Sequence, residues 1–214
     1  MALLKAKPEN IPEDAVILTR EKALQYQLDI LKNWKHQSDI WPIKHGGTIL
    51  ASLSALSGIY INNYYRFKFK LLNYGRLSSY LPLCGLPAIM SFMSHTQFVL
   101  PDVVLQENCA VCTQMRASAL QSGFGAVFPL LLAPMSIFSL ALRYNTYDIP
   151  YFTKEPLKAA QLWLNKTKPI NNILFAIFVG QALAATAVTY LEANAIEKVN
   201  DKLTLLGYDL DNDY

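Results

Sequence analysis

Four stretches of the sequence, 45–65, 77–101, 117–142 and 169–191, contain no Asp, Glu, Lys or Arg, so all 19 basic and 16 acidic residues fall between or outside them. A helix rises about 1.5 Å per residue, and roughly 20 residues cross a hydrocarbon core of about 30 Å. Each stretch is long enough to do so. Ionised groups are costly at that depth, and their segregation predicts an all-α, polytopic membrane protein with four transmembrane helices. Upstream, Thr19 is placed to cap a helix in which Leu24, Leu28, Leu31 and Trp34 recur near helical spacing with charges between them. This predicts an amphipathic helix over 19–36, lying at the membrane interface or on a protein surface. Trp41 and Pro42 then break the pattern. The expected organisation is an arm over 1–44, a transmembrane domain over 45–191 and an acidic tail over 192–214.

Within the first span, 46–65, small residues pair four apart as Ala51 with Ala55 and Ser54 with Gly58, which lets a neighbouring helix approach closely. Tyr60, Tyr64 and Tyr65 precede Arg66, Lys68 and Lys70, an aromatic and cationic edge that predicts anchoring to lipid or a partner. In the second span, Pro82 and Pro87 predict a late start and a core helix of only 87–100. His95 is read as making an internal hydrogen bond, since none of the four stretches offers an acid or base for a proton relay. The third span, 117–142, has Pro129 and Pro134 as predicted kinks and Ser122 with Ala126 as a contact pair. The fourth, 170–191, is small from Gly180 to Ala187, with Gly180 and Ala184 expected against protein beside Gln181. Arg116 stands at the start of the third span, where the helix dipole disfavours a cation, and is expected to reach a lipid phosphate or a partner carboxylate.

Composition narrows the function. At 214 residues and net charge +3, no loop is large enough for a second globular domain, and no basic patch interleaved with aromatics suggests nucleic acid. Glu9, Glu13 and Asp14 occupy the N-terminal region where a secretory signal needs an apolar core and a mitochondrial presequence avoids acids. No nucleophile with a base, paired carboxylates or phosphate loop is evident, so no catalytic residue, enzyme activity or cofactor is expected. Loops 66–76 and 143–168 together hold nine basic residues against six in the flanking segments of the other side. That bias places those two loops on the positive side and both termini opposite.

Three cysteines are present, Cys84, Cys109 and Cys112, and an odd number excludes complete internal pairing. The C-x-x-C of Cys109 and Cys112 is compatible with a redox pair, half of a zinc site or a compact structural disulfide. Zinc lacks further ligands, with histidines only at 36, 45 and 95. Redox catalysis lacks a thioredoxin-like domain. The structural pair is preferred, and no metal is expected.

That loop, Cys109-Ala-Val-Cys112-Thr113-x-x-Arg116, also carries a family likeness, together with Leu83-Cys-Gly85-Leu-Pro87, Ala141-Leu-Arg143-Tyr144, and Trp163 with Lys166-Thr-Lys168-Pro169. In order and spacing these resemble the transmembrane protein 126 family over roughly 41–195. The resemblance implies four spans in the mitochondrial inner membrane and a part in assembling the membrane arm of respiratory complex I. Its partners would be membrane-arm subunits and other assembly factors, including an acyl-CoA dehydrogenase-like protein. The expected function is a non-enzymatic scaffold; a stable accessory subunit of a respiratory complex and a small membrane transporter are the alternatives. With loops 66–76 and 143–168 in the matrix, the termini and loop 102–116 would face the oxidising intermembrane space, where a disulfide persists.

Overall fold

A computed structural model describes residues 18–147 and 155–212, with side chains through residue 205. The start of the expected arm (1–17), part of the third loop (148–154) and the end of the acidic tail (213–214) lie outside the described residues. Among the described residues all regular elements are helical: α1 (Arg20–Lys32), α2 (Trp41–Lys68), α3 (Arg76–Leu105), α4 (Ala110–Tyr144), α5 (Pro156–Thr167) and α6 (Asn171–Asn212). Three helical runs are long and apolar enough to cross a membrane: Arg76–Leu105, Ala110–Tyr144, and Pro156–Leu205, which joins α5 to most of α6. α2 is not among them. Its 28 residues would reach about 42 Å, but Ser54, Ser57, Asn62 and Arg66 dilute its hydropathy. All four are buried, because α2 packs against α3, α4 and α6.

The boundaries depart from the sequence pattern for identifiable reasons. Trp41 and Pro42 open α2 instead of breaking a helix, since proline in the first turn forfeits no intrahelical bond. α3 runs from Arg76 straight through Pro82 and Pro87, correcting the expected short helix over 87–100. It widens into π-helical turns at Leu81–Gly85 and His95–Val99, a local adjustment by which a helix accommodates proline and recovers its backbone bonds. α4 does the same at Gly123–Val127, just ahead of Pro129. It also begins at Ala110, not at 117. The pattern missed α5 altogether, and α6 continues to Asn212, so the described part of the acidic tail is helix. α1 follows Thr19, whose backbone is extended but whose side chain makes no cap bond, and stops at Lys32, short of the expected 36.

Two apolar clusters fill the bundle. One gathers Ile61, Tyr65, Phe69, Leu83, Ile137 and Phe138 where α2 ends, α3 begins and α4 ends. The other gathers Leu31, Leu50, Val103, Ala117, Ala185 and Val199 where α1, the first half of α2, α3 and α4 meet α6.

Candidate interaction site

Between the two clusters lies a polar layer. Gln121 on α4 places its Nε2 3.0 Å from Leu50 O, 3.0 Å from Ser54 Oγ and 2.6 Å from Gln181 Oε1, while its own Oε1 accepts from Ser91 on α3 at 2.5 Å. Gln181 on α6 donates in turn to Leu53 O at 2.9 Å. Ser57 Oγ donates to Gly125 O within the widened turn of α4. Gly125 is required here, since a Cβ would stand 2.8 Å from Gln181 Cδ and 3.0 Å from Ser54 Oγ. Hydrogen bonds between membrane helices average only about 0.6 kcal/mol. The layer therefore fixes the register of four helices more than it holds them together.

The expected packing residues divide. Ser54, Gly58, Ser122 and Ala126 are buried, and Ala51, Ala55 and Ala184 half-buried. Gly58 marks the closest approach, where an added Cβ would overlap the Leu83 carbonyl oxygen in the first π turn of α3. Gly180 is a correction. It is exposed, with open space where a Cβ would stand, because that face of α6 points away from the bundle and Ala185 takes the internal contact. Gly180 instead borders a shallow groove of about 440 Å³ between α2 and α6, whose walls include Leu56, Tyr60, Ile173, Ile177 and Ala184.

The expected anchors also divide. Lys68 lies 5.5 Å from the Tyr64 ring centroid and Lys70 is exposed. Arg66 is only 4% exposed, its side chain turned inward. Its guanidinium donates to Leu72 O at 2.6 Å, Tyr74 O at 2.8 Å, Ser79 Oγ at 2.8 Å and Gly75 O at 3.4 Å. It gathers the loop between α2 and α3, in which Lys70, Leu72 and Gly75 all take left-handed backbone angles. Arg116 pairs with a carboxylate of its own chain, Asp102 Oδ2 at 2.5 Å, while its side chain stays about half exposed. The other oxygen of Asp102 meets Arg20 of α1 at 3.0 Å, and Arg20 also holds Glu107 at 2.7 Å. Glu107, first by its hydrogen bond and then by its charge, raises the Arg20 pKa further above its already high value.

Cys109 and Cys112 stand at the start of α4 with their sulfurs in contact and Cα atoms 5.3 Å apart, inside the span a disulfide bridges. Cys109 is the N-cap and its sulfur accepts from the Cys112 N–H at 3.2 Å. His95 also has an acidic partner that the charge-free stretches could not supply. Its Nε2 lies 2.9 Å from Glu192 Oε1, one residue beyond the fourth stretch, and both residues are buried. Glu192 packs over Gly46, while its second oxygen has no partner among the described residues.

The arrangement is a helical bundle with a rigid polar middle, two charge-locked ends and an outward apolar groove; among the described residues no group of metal-ligating side chains is gathered. The sequence profile described as Transmembrane protein 126 matches residues 25–205. Transmembrane protein 126 of Drosophila melanogaster is 40% identical, over 96% of this chain and 91% of that protein. Transmembrane protein 126A of Rattus norvegicus is 28% identical over 70% and 74%. A Mus musculus protein named "Complex I assembly factor TMEM126B, mitochondrial" is 29% identical over 50% of this chain and 46% of its own length. No solved structure matches the chain significantly. The matched residues run from within α1 into α6, and the chain belongs to the transmembrane protein 126 family.

Proposed function

We propose that this protein is a non-enzymatic scaffold of the mitochondrial inner membrane that holds partly built membrane-arm modules of respiratory complex I. The observation that carries the reading is the groove between α2 and α6, where Gly180 leaves open space on a face of apolar side chains. Such a face suits a hydrophobic helix of an unfinished module, and it lies on a framework already fixed by the Gln121 and Gln181 layer. The mouse relative named as a complex I assembly factor supports the same reading. Binding an intermediate and not its competitors raises that intermediate's population by simple linkage, which requires no catalytic group. Membrane-arm subunits and other assembly factors, among them an acyl-CoA dehydrogenase-like protein, are the proposed partners.

In this reading α2 is a fourth span, its buried serines shielded from lipid by α3, α4 and α6. Four crossings then return both ends of the chain to one side, with loop 102–116 in the intermembrane space and Cys109 joined to Cys112. Lys68 and Lys70 meet lipid on the matrix side. A transporter would need ionisable groups facing a passage; His95 is buried against Glu192, and Gln181, which does line the groove, carries no charge. Native complexome profiling tests the scaffold: it should co-migrate with partial membrane-arm assemblies, and its loss should deplete mature complex I. Co-migration with mature complex I would make it an accessory subunit, and normal complex I after complete loss would sink both readings.

A further inference from the structure

We infer that the pocket where α2 starts beside α6 is a binding site for the headgroup of an anionic phospholipid. The pocket has a volume of about 250 Å³. Ser38, Asn194 and Lys198 supply its polar side, and Trp41, Pro42 and Leu191 its apolar side. The two sides are ordered along the bundle axis. Leu191 closes the last charge-free stretch, and Lys198 follows seven residues later, roughly 10 Å along the helix. The pocket therefore spans the change from apolar to charged surface, the depth at which tryptophan and lysine gather in membrane proteins.

The charges at the pocket select an anion. Asp39 also lines it, but its carboxylate is taken by Lys202 at 2.5 Å and by Trp34 Nε1 at 3.5 Å. Lys198 makes no ion pair with any described residue. α2 begins at the same wall with no side chain capping it, so the positive end of its dipole adds to the lysine. A free phosphate would satisfy Ser38, Asn194 and Lys198 but leave the Pro42 and Leu191 side without a counterpart. A phospholipid uses both, with its chains running down over Leu191 and Tyr190, which are 45% and 55% exposed. The inference rests on α6 crossing a membrane and is independent of the assembly role.

Native mass spectrometry of the full chain with equimolar phosphatidylglycerol and phosphatidylcholine tests it through the ratio of the two lipid-bound species. Phosphatidylglycerol should be preferred, and Lys198→Gln should cut the preference about fivefold. Lys198→Arg should keep it. Asn194→Leu, which changes no charge, should also lower it, while Lys158→Gln, at an exposed lysine paired with Glu155, should leave it unchanged. Equal losses in Lys198→Gln and Lys158→Gln would mean diffuse attraction and overturn the site. Displacement of phosphatidylglycerol by inorganic phosphate at constant ionic strength would make it a free-anion site and overturn the lipid assignment, as would the absence of any preference.

Discussion

The two ends of the bundle bury charge by opposite means. At the end where α2 turns into α3, one cation, Arg66, is held by three carbonyls and a serine that all lie within 13 residues of it in sequence. At the other end one anion, Asp102, is shared by Arg20 and Arg116, which come from α1 and α4 and are 57% and 49% exposed. The first arrangement is local and closed: the loop folds around a side chain of the helix that precedes it. The second depends on α1 arriving from more than 80 residues away, and both arginines remain about half exposed. A buried charge surrounded by its own loop makes a permanent corner. One shared among distant elements makes an end that holds only while those elements stay together.

Removing Arg66 should therefore have the largest effect. Arg66→Ala leaves three inward carbonyls and Ser79 Oγ without their donor, and hydrogen bonds to charged groups are worth about 1.5–3 kcal/mol each. A loss of about 3 kcal/mol or more in detergent unfolding, with a fall in steady-state abundance, is expected. Lys should rescue little, because a point charge with three donors cannot reproduce the guanidinium fork. A fully stable Arg66→Ala protein would mean that the loop does not depend on it. At the same end, Gly58→Ala should cost about 1–3 kcal/mol, since the methyl meets backbone, the Leu83 carbonyl, and not a side chain that can swing aside. Unchanged thermal stability in that variant would show that α2 and α3 can part without loss.

The difference between the ends also explains what the sequence disclosed. Charge-free stretches marked α3, α4 and α6, and small residues marked Gly58 and Ser54 as contacts. Arg66 read as an interfacial anchor because its partners are carbonyls, which have no signature in a sequence. Arg116 carries a legible signal. Asp102 directly follows the second stretch and Arg116 directly precedes the third, so an antiparallel hairpin must bring them together. Glu192 is hidden in the same way, one residue past the fourth stretch. α2 was found by its lack of charge, although its serines and asparagine give it a hydropathy below that of its neighbours. Gly180 misled because a small residue marks a contact without saying whether the contact lies inside the chain.

Asp102→Asn should have a smaller effect than Arg66→Ala, about 1 kcal/mol, because Arg20 and Arg116 recover hydration and surface-exposed pairs are worth little. Its signature should be local: α1 loses a tie to the bundle and is cut faster by trypsin at Lys22 or Lys32, while the rest of the chain stays protected. Arg20→Gln should reproduce the faster cleavage with a smaller loss of stability. Slower unfolding of α1 in either variant, or cleavage spread evenly over the loops, would contradict an end tied through Asp102.

The smallest effect concerns the same end and depends on pH. Lys202, chiefly through its hydrogen bond, holds the Asp39 carboxyl below the usual carboxylate range, with a lesser contribution from Trp34 and against some desolvation. A carboxyl whose pKa is depressed by folding contributes stability that is fully present above its unfolded value of about 3.9 and is lost as pH falls through the folded value. The tie between α6 and the start of α2 should thus hold from neutral pH down to about pH 4 and weaken only below it. The melting temperatures of the wild type and Asp39→Asn should differ by a constant small amount over the upper range. They should converge in acid, where the protonated aspartate resembles the amide. Convergence near neutrality would mean that Lys202 does not hold the carboxylate. A gap persisting into strong acid would mean that the amide perturbs packing instead of removing a charge.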